Sequence, residues 1–126
     1  MKRLWLGLSI LLFLLAGGLA IHTGLHNIHN DISRDLQQAA TAATHQQWDN
    51  ALHLARTATA RWQRHHRFTA AFSDHTPMDT MDALFAQLPI FAEQKEYPHF
   101  AAACMELSVY ARALAESHAL SWWNFL

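Results

Sequence analysis

The chain divides into an uninterrupted apolar stretch and a longer part in which apolar residues recur at helical spacing. Residues 4–21 carry no charged side chain and follow two basic residues. At about 1.5 Å of rise per residue, a helix over this stretch is about 27 Å long, close to the thickness of a bilayer core. The pattern predicts a transmembrane anchor over residues 1–21, which contacts lipid through residues 4–21, and a separate helical region over residues 22–126.

The charges that flank the apolar stretch predict its orientation. Basic residues lie before the stretch and no positive cluster follows it. The positive-inside rule therefore predicts a single-pass protein of the cell membrane with a cytoplasmic amino terminus and an extracytoplasmic region 22–126. A signal peptide cleaved after residue 20 is the alternative, with Gly18 and Ala20 at the −3 and −1 positions. We favour the uncleaved anchor because the apolar stretch continues through Ile21.

Beyond the anchor, apolar residues recur every three or four positions and no segment alternates with period two. The first helix is expected to continue outward to about Ala43, and the second begins near Trp48. Thr76 is the expected N-cap of the third helix, which Pro89 bends or ends. The fourth carries Phe100 and later apolar residues. Short connections favour an all-α fold, in which an N-terminal transmembrane helix continues into an up-down four-helix bundle.

This up-down order makes a prediction about the carboxyl end of the chain. If the first helix leaves the membrane, the fourth helix returns to it and brings Trp122 and Trp123 to the bilayer surface. Tryptophan is enriched there because its ring is apolar and its N–H needs a polar partner. The alternative is that these aromatic rings close the core of the bundle.

Composition limits the classes of function. Charged residues make up 15% of the 126 residues, and the formal net charge is −1, which argues against a nucleic-acid partner. A single cysteine, Cys104, excludes an internal disulfide framework and a cysteine-based zinc cluster. No clustered catalytic constellation is present in the sequence. We therefore expect a protein that is not an enzyme, with no catalytic residues, no cofactor and no bound metal.

Short patterns along nearly the whole chain resemble one known family. Besides the basic start and the apolar stretch, they are Trp48-Asp49-Asn50-Ala51, Trp62, His75 with Asp79, Glu116-Ser117-His118-Ala119-Leu120-Ser121 and Asn124-Phe125-Leu126. These residues resemble the domain-of-unknown-function family four-three-six-three, small membrane proteins of Gram-positive, often spore-forming bacteria. The resemblance implies a tethered helical domain with no assigned activity, whose gene often neighbours one for a multi-pass membrane protein. The ten histidines and the pair Trp122-Trp123 depart from the family pattern.

Three histidines form the most conspicuous candidate site. His22, His26 and His29 are spaced i, i+4 and i+7, so they share one face of a helix. Three imidazoles on one face can ligate zinc, copper or nickel. No carboxylate completes the face within one turn, and the row flanks the apolar stripe on its predicted solvent side. We interpret it as a solvated polar flank.

Other candidate residues have simple structural interpretations. The basic segment Arg61–Arg67 either meets anionic lipid or pairs with acids on the third and fourth helices. His75, with Asp79 and Asp82 nearby, is expected to hold the turn by hydrogen bonding rather than to act as a general base. The expected core residues are Trp62, Met78, Met81 and Cys104.

These observations lead to two hypotheses about function. The first is a non-enzymatic, membrane-anchored helical accessory protein that partners another membrane protein in the same bilayer. The glycine pair Gly17-Gly18 would let a transmembrane helix approach closely. The alternative is an extracytoplasmic ligand or metal sensor that binds through the His22, His26 and His29 face. The oligomeric state and the partner's identity are left open by the sequence.

Overall fold

The computed structural model of the chain describes the backbone of residues 1–71 and 75–123, and the side chains of residues 1–71 and 76–117. Within these residues the chain forms four α-helices, which are α1 (Lys2–Thr44), α2 (Trp48–Ala70), α3 (His75–Glu93) and α4 (Tyr97–Trp123). The predicted all-α fold, with a long apolar first helix that continues into a four-helix bundle, is confirmed.

Helix α1 is continuous from the apolar stretch into the bundle. Its 43 residues give a helix of about 64 Å at 1.5 Å per residue. Its amino-terminal part contains a segment long and apolar enough to cross a membrane, and none of that segment is buried in the bundle. By length and composition, an anchor and a signal sequence satisfy this criterion equally. Burial begins at Leu25 and extends to the end of the helix.

Helix α4 runs antiparallel to α1 and forms its most extensive interface. His26 meets the carbonyl oxygen of Ala115 at 3.2 Å, and the Ser33 hydroxyl donates to the carbonyl oxygen of Ser108 at 2.9 Å. The two contacts fit the same antiparallel register of α4 on α1. Continued along the two backbones, this register brings the end of α4 level with Gly18. The side chains of the two tryptophans near that end lie outside the described residues, so their place at the bilayer surface stays a prediction.

The core of the bundle is built from a few large side chains and many alanines. Alanine lets helix backbones approach closely, and the large residues fill the remaining space. Burying one such large apolar side chain stabilises the fold by roughly 1.5–3 kcal/mol. Fully buried residues on α1, α2 and α4 include Ile32, Leu36, Ala39, Ala51, Ala58, Trp62, Phe100, Leu107 and Ala111.

The two turns at the end of the bundle far from the apolar stretch have the same hydrogen bonds. The Gln47 N–H donates to the carbonyl of Ala42 at 2.8 Å, and the Glu96 N–H donates to the carbonyl of Phe91 at 2.9 Å. These six-to-one bonds are those of the Schellman motif, which needs a left-handed residue just before the donor. Gln46 and Lys95 occupy that position with φ of 61° and 56°.

Aromatic rings join these two turns. Trp48, the first residue of α2, meets Tyr97 with ring centroids 4.0 Å apart. It also meets Phe100 at 4.9 Å, again edge to face. The start of α2 is therefore held against the start of α4, so the turn between α1 and α2 lies beside the turn between α3 and α4.

Two local predictions about α3 need correction. The helix begins at His75, so Thr76 is not its N-cap and lies in the first turn. Pro89 does not end the helix, which continues to Glu93. Pro89 is exposed, so its ring projects away from the core, and the helix keeps its packing despite the missing N–H donor. Residues 72–74, which precede α3, lie outside the described residues.

The left-handed turn residues predict opposite effects of the same substitution at two sites. Gln46→Gly should raise the free energy of unfolding by about 0.5–1 kcal/mol, because glycine adopts positive φ without steric cost. Gln38→Gly, at an exposed position inside α1, should lower it by about 1 kcal/mol. Urea unfolding of the full chain in detergent, followed by circular dichroism, measures both. Effects of the same sign would contradict the assigned turn geometry.

Candidate functional site

The three histidines of the predicted polar face occupy three different environments. His22 and His26 are half-buried, whereas His29 is 1% exposed and lies in the core. The ring centroid of His29 is 6.4 Å from that of Trp62 on α2. The prediction of a solvated flank is therefore wrong for His29. The buried arc of α1 is wider than a single stripe because α1 packs against both α2 and α4.

Both ring nitrogens of His26 are committed to hydrogen bonds. The Asn30 side-chain amide donates to Nε2 at 2.9 Å. This bond makes Nε2 the acceptor, so Nδ1 carries the proton and donates to the carbonyl of Ala115. A metal ion would have to displace one of these partners. Within the residues that the structure describes, no three histidine, cysteine or acidic side chains gather as a group that could hold a metal ion.

The first arginine of the basic segment of α2 has a different partner from the one expected. The Arg61 guanidinium donates to the Asp35 carboxylate at 2.6 Å, and the Asp35 side chain is only 10% exposed. Its partner is therefore on α1 and not on the third or fourth helix. Arg64 and Arg67 are exposed, and nothing in the structure tests the predicted contact with lipid.

A polar cluster lies where α2 meets α3, around the Asp82 carboxylate. The Trp62 indole N–H donates to Oδ1 at 2.6 Å, and His66 Nε2 meets Oδ2 at 2.8 Å. Trp62 packs against Phe85 with ring centroids 5.9 Å apart. His66 and Asp82 are 35% and 44% exposed, and Arg67 lies beside them at a surface depression of about 270 Å³.

This cluster forms a clasp between two helices, because each oxygen of Asp82 accepts a hydrogen bond from a side chain of α2. The prediction that His75 holds the turn by hydrogen bonding concerns a side chain that lies outside the described residues. His66 belongs to the basic segment Arg61–Arg67, and its contact with Asp82 agrees with the predicted pairing of that segment with an acid on the third helix.

Sequence analysis missed an apolar cleft farther along α2 and α3. It has a volume of about 290 Å³, and its inner wall includes Ala55, Leu88 and Phe100. Arg56 and Glu93 stand at its edge. The volume is just below the usual range of small-molecule sites, roughly 300–1,000 Å³. The cleft can accept an apolar group, and the side chains of Arg56, Thr59 and Glu93 are the polar part of its lining.

The remaining sulfur-containing candidates are core residues, as predicted. Met78 and Met81 are 2% and 0% exposed, and Cys104 is 0% exposed. Burial raises the pKa of the Cys104 thiol to about 12, because the surrounding apolar groups disfavour the thiolate. Since the thiolate is the reactive form, Cys104 is an inert member of the core.

The clasp predicts a specific loss of stability. Asp82→Ala should lower the free energy of unfolding by about 1–2 kcal/mol, because it leaves the indole N–H of buried Trp62 without its acceptor. Asp79→Ala is a matched control one turn earlier on the same helix and should change it by less than about 0.5 kcal/mol. Urea unfolding measures both, and equal losses would contradict the assigned role of Asp82.

The buried thiol predicts protection from alkylation. With a pKa of about 12, only about one thiol in ten thousand is ionised at pH 8. Iodoacetamide should therefore leave Cys104 unmodified in the folded chain and modify it in urea, as read by mass spectrometry. Raising the pH to 9 should not expose the thiol while the fold persists. Rapid labelling without urea would show that the packing of α4 opens readily.

The chain matches one known protein family over most of its length. The profile of a family described as Domain of unknown function (DUF4363) matches residues 19–125, from the end of the apolar stretch through α4. This match confirms the resemblance found in the sequence. No curated protein and no solved structure matches the chain significantly. Because the matched region covers most of its length, the chain belongs to the DUF4363 family of domains of unknown function.

Proposed function

We propose that this protein is a non-enzymatic, membrane-anchored accessory protein whose helical bundle stands outside the cytoplasm and whose partner is another membrane protein. The observation that carries the proposal is the amino-terminal part of α1. All large apolar side chains from Leu4 to Leu15 are about half exposed or more. An apolar helix surface of this length is stable only against lipid or another protein.

The continuity of α1 gives the proposal its mechanism. Because one helix forms both the anchor and a side of the bundle, the bundle stays at a constant height above the bilayer. Confinement of both proteins to one bilayer raises their effective concentration, so modest contacts suffice for association. The basic residues Lys2 and Arg3 favour a cytoplasmic amino terminus. This places the bundle on the opposite side of the membrane.

The glycines of the anchor suit a lateral partner. A Cβ atom placed on Gly17 or Gly18 would meet nothing within 4 Å, so no part of the bundle requires glycine there. Small residues let two transmembrane helices bring their backbones close together. A partner helix that packs on this side of α1 accounts for the presence of two adjacent glycines there.

No observation favours the alternative, a ligand or metal sensor that uses His22, His26 and His29. Such a sensor needs imidazoles that converge on one ligand with free ring nitrogens. His29 lies in the core against Trp62, and His26 is held by Asn30 and Ala115. Binding through this row would require both contacts to be rearranged.

Photo-crosslinking from two positions of the anchor tests the proposal. Leu14 lies on the same helix face as the two glycines, because it precedes them by three and four residues. Leu12 faces nearly the opposite direction and is the matched control. With a photoreactive residue at each position in the full chain, we expect one specific membrane protein to be captured from position 14 in intact membranes. Capture should be lost when Gly17→Leu blocks close approach.

Separate measurements test the anchor and the lateral partner. The chain should resist alkaline extraction from membranes and retain residues 1–20 by mass spectrometry, as an anchor requires. Release of a shortened chain would replace the anchor with a cleaved signal peptide. Equal capture from positions 12 and 14, unaffected by Gly17→Leu, would overturn the assignment of a specific lateral partner.

A further inference from the structure

The apolar cleft between α2 and α3 lies between two points at which α2 is held. At the first point, Trp62 stacks on Phe85 with ring centroids 5.9 Å apart. His66 meets Asp82 one turn further along α2 and one turn back along α3, so the two helices are antiparallel. At the second point, the start of α2 is held by α4 instead, through the ring of Trp48. The space between these points has a volume of about 290 Å³.

The inner wall of the cleft is apolar and belongs to the packed core. It is lined by Ala55, Leu88 and Phe100, and all three are buried. Core side chains are held by close packing, so the shape of this wall is set before any ligand arrives. An apolar cleft between the helices of a bundle, with a few polar groups at its edge, is a common form of small-molecule site.

Two opposite charges stand at the mouth of the cleft and at nearly the same height. Arg56 is six residues before Trp62 on α2, and Phe91 is six residues after Phe85 on α3. Because the rings of Trp62 and Phe85 are in contact and the helices are antiparallel, Arg56 is level with Phe91. At 1.5 Å per residue, Glu93 is about 3 Å from this height. The guanidinium therefore lies on one lip of the cleft and the carboxylate on the other.

Neither of these charges is neutralised by the described part of the chain. The ion pairs found there join other side chains, and both Arg56 and Glu93 are exposed. In its own helix, neither has an opposite charge three or four positions away, which is the spacing of helical ion pairs. The Thr59 hydroxyl in the cleft lining donates to the carbonyl of Ala55 at 2.8 Å, so its oxygen can accept a further hydrogen bond.

We infer that this cleft binds a small zwitterion with an apolar group, namely an apolar amino acid. The apolar group lies against Leu88 and Phe100. The carboxylate meets the guanidinium of Arg56, and the ammonium group meets the carboxylate of Glu93. A molecule with a single charge would meet one like charge at the same mouth, whereas a zwitterion is complementary to both.

The size of the cleft agrees with a single amino acid. At about 30 Å³ for each water-sized group, the cleft has room for about ten non-hydrogen atoms, which is close to the size of leucine. All the residues that line it lie in the bundle. The inference therefore goes beyond the proposed function and depends neither on the anchor nor on a membrane-protein partner.

Titration of the full chain in detergent with leucine tests this inference. The methyl resonances of Leu52 and Leu88, which line the cleft, should shift, while those of Leu36 in the core of α1 should not. A ligand of this size is expected to bind with a dissociation constant of roughly 0.1–1 mM.

Four analogues of leucine test which of its groups are recognised. Glycine lacks the apolar group, leucinamide lacks the carboxylate and N-acetyl-leucine lacks the ammonium group. Each should bind at least about fivefold more weakly than leucine, because one side of the site is left unmatched. The dipeptide leucyl-leucine should also bind more weakly, since it exceeds the volume of the cleft.

Three substitutions assign the charges to their partners. Arg56→Gln should weaken the binding of leucine about five- to tenfold without weakening that of leucinamide, which has no carboxylate. Glu93→Gln should do the same for leucine without weakening the binding of N-acetyl-leucine, which has no ammonium group. Arg64→Gln, at another exposed arginine of α2, is the matched control and should change neither. All three positions are exposed, so circular dichroism should show an unchanged fold.

Each contrary result overturns a stated part of the inference. If the methyl groups of Leu52 and Leu88 do not shift at about ten times the expected dissociation constant, the cleft does not bind an amino acid. Equal binding of glycine and leucine excludes the apolar wall as part of the site. Equal weakening of leucine and leucinamide by Arg56→Gln excludes the assigned carboxylate contact. Tighter binding of leucyl-leucine than of leucine excludes a single amino acid as the ligand.

Discussion

The continuity of α1 is the constraint on which the rest of this structure depends. In the proposed anchored state, two environments hold the helix. In a bilayer, backbone groups can be satisfied only within the helix itself, so a membrane-inserted segment stays helical despite Gly7, Gly17 and Gly18. From Leu25 onward, packing against α2 and α4 takes over. Because no turn separates the two parts, the orientation of the apolar part of α1 sets the orientation of the bundle. The heights of α2, α3 and α4 along the bundle are set relative to the axis of α1.

A few polar contacts between helices determine how the helices are rotated against each other. Their positions matter more for this than the total number of charges. The Arg61–Asp35 pair joins α2 to α1 and is partly buried, so its Coulombic gain is offset by the cost of desolvation. Its value lies in fixing which side of α2 faces α1. The Asp82 clasp does the same between α2 and α3, where apolar contact is sparser. Each of these contacts thus helps to fix the rotation of α2 about its own helix axis.

Much of the fold was predictable because helical periodicity is a local property. The spacing of apolar residues predicted the start of α2 at Trp48 and the burial of Met78, Met81 and Cys104, and all of these are confirmed. His29 was misplaced because the width of a buried arc depends on how many helices pack against it, which a single helical pattern does not contain. The partner of Arg61 was assigned to the wrong helix for a related reason: Asp35 comes from another helix, and residue spacing carries no information on such pairs.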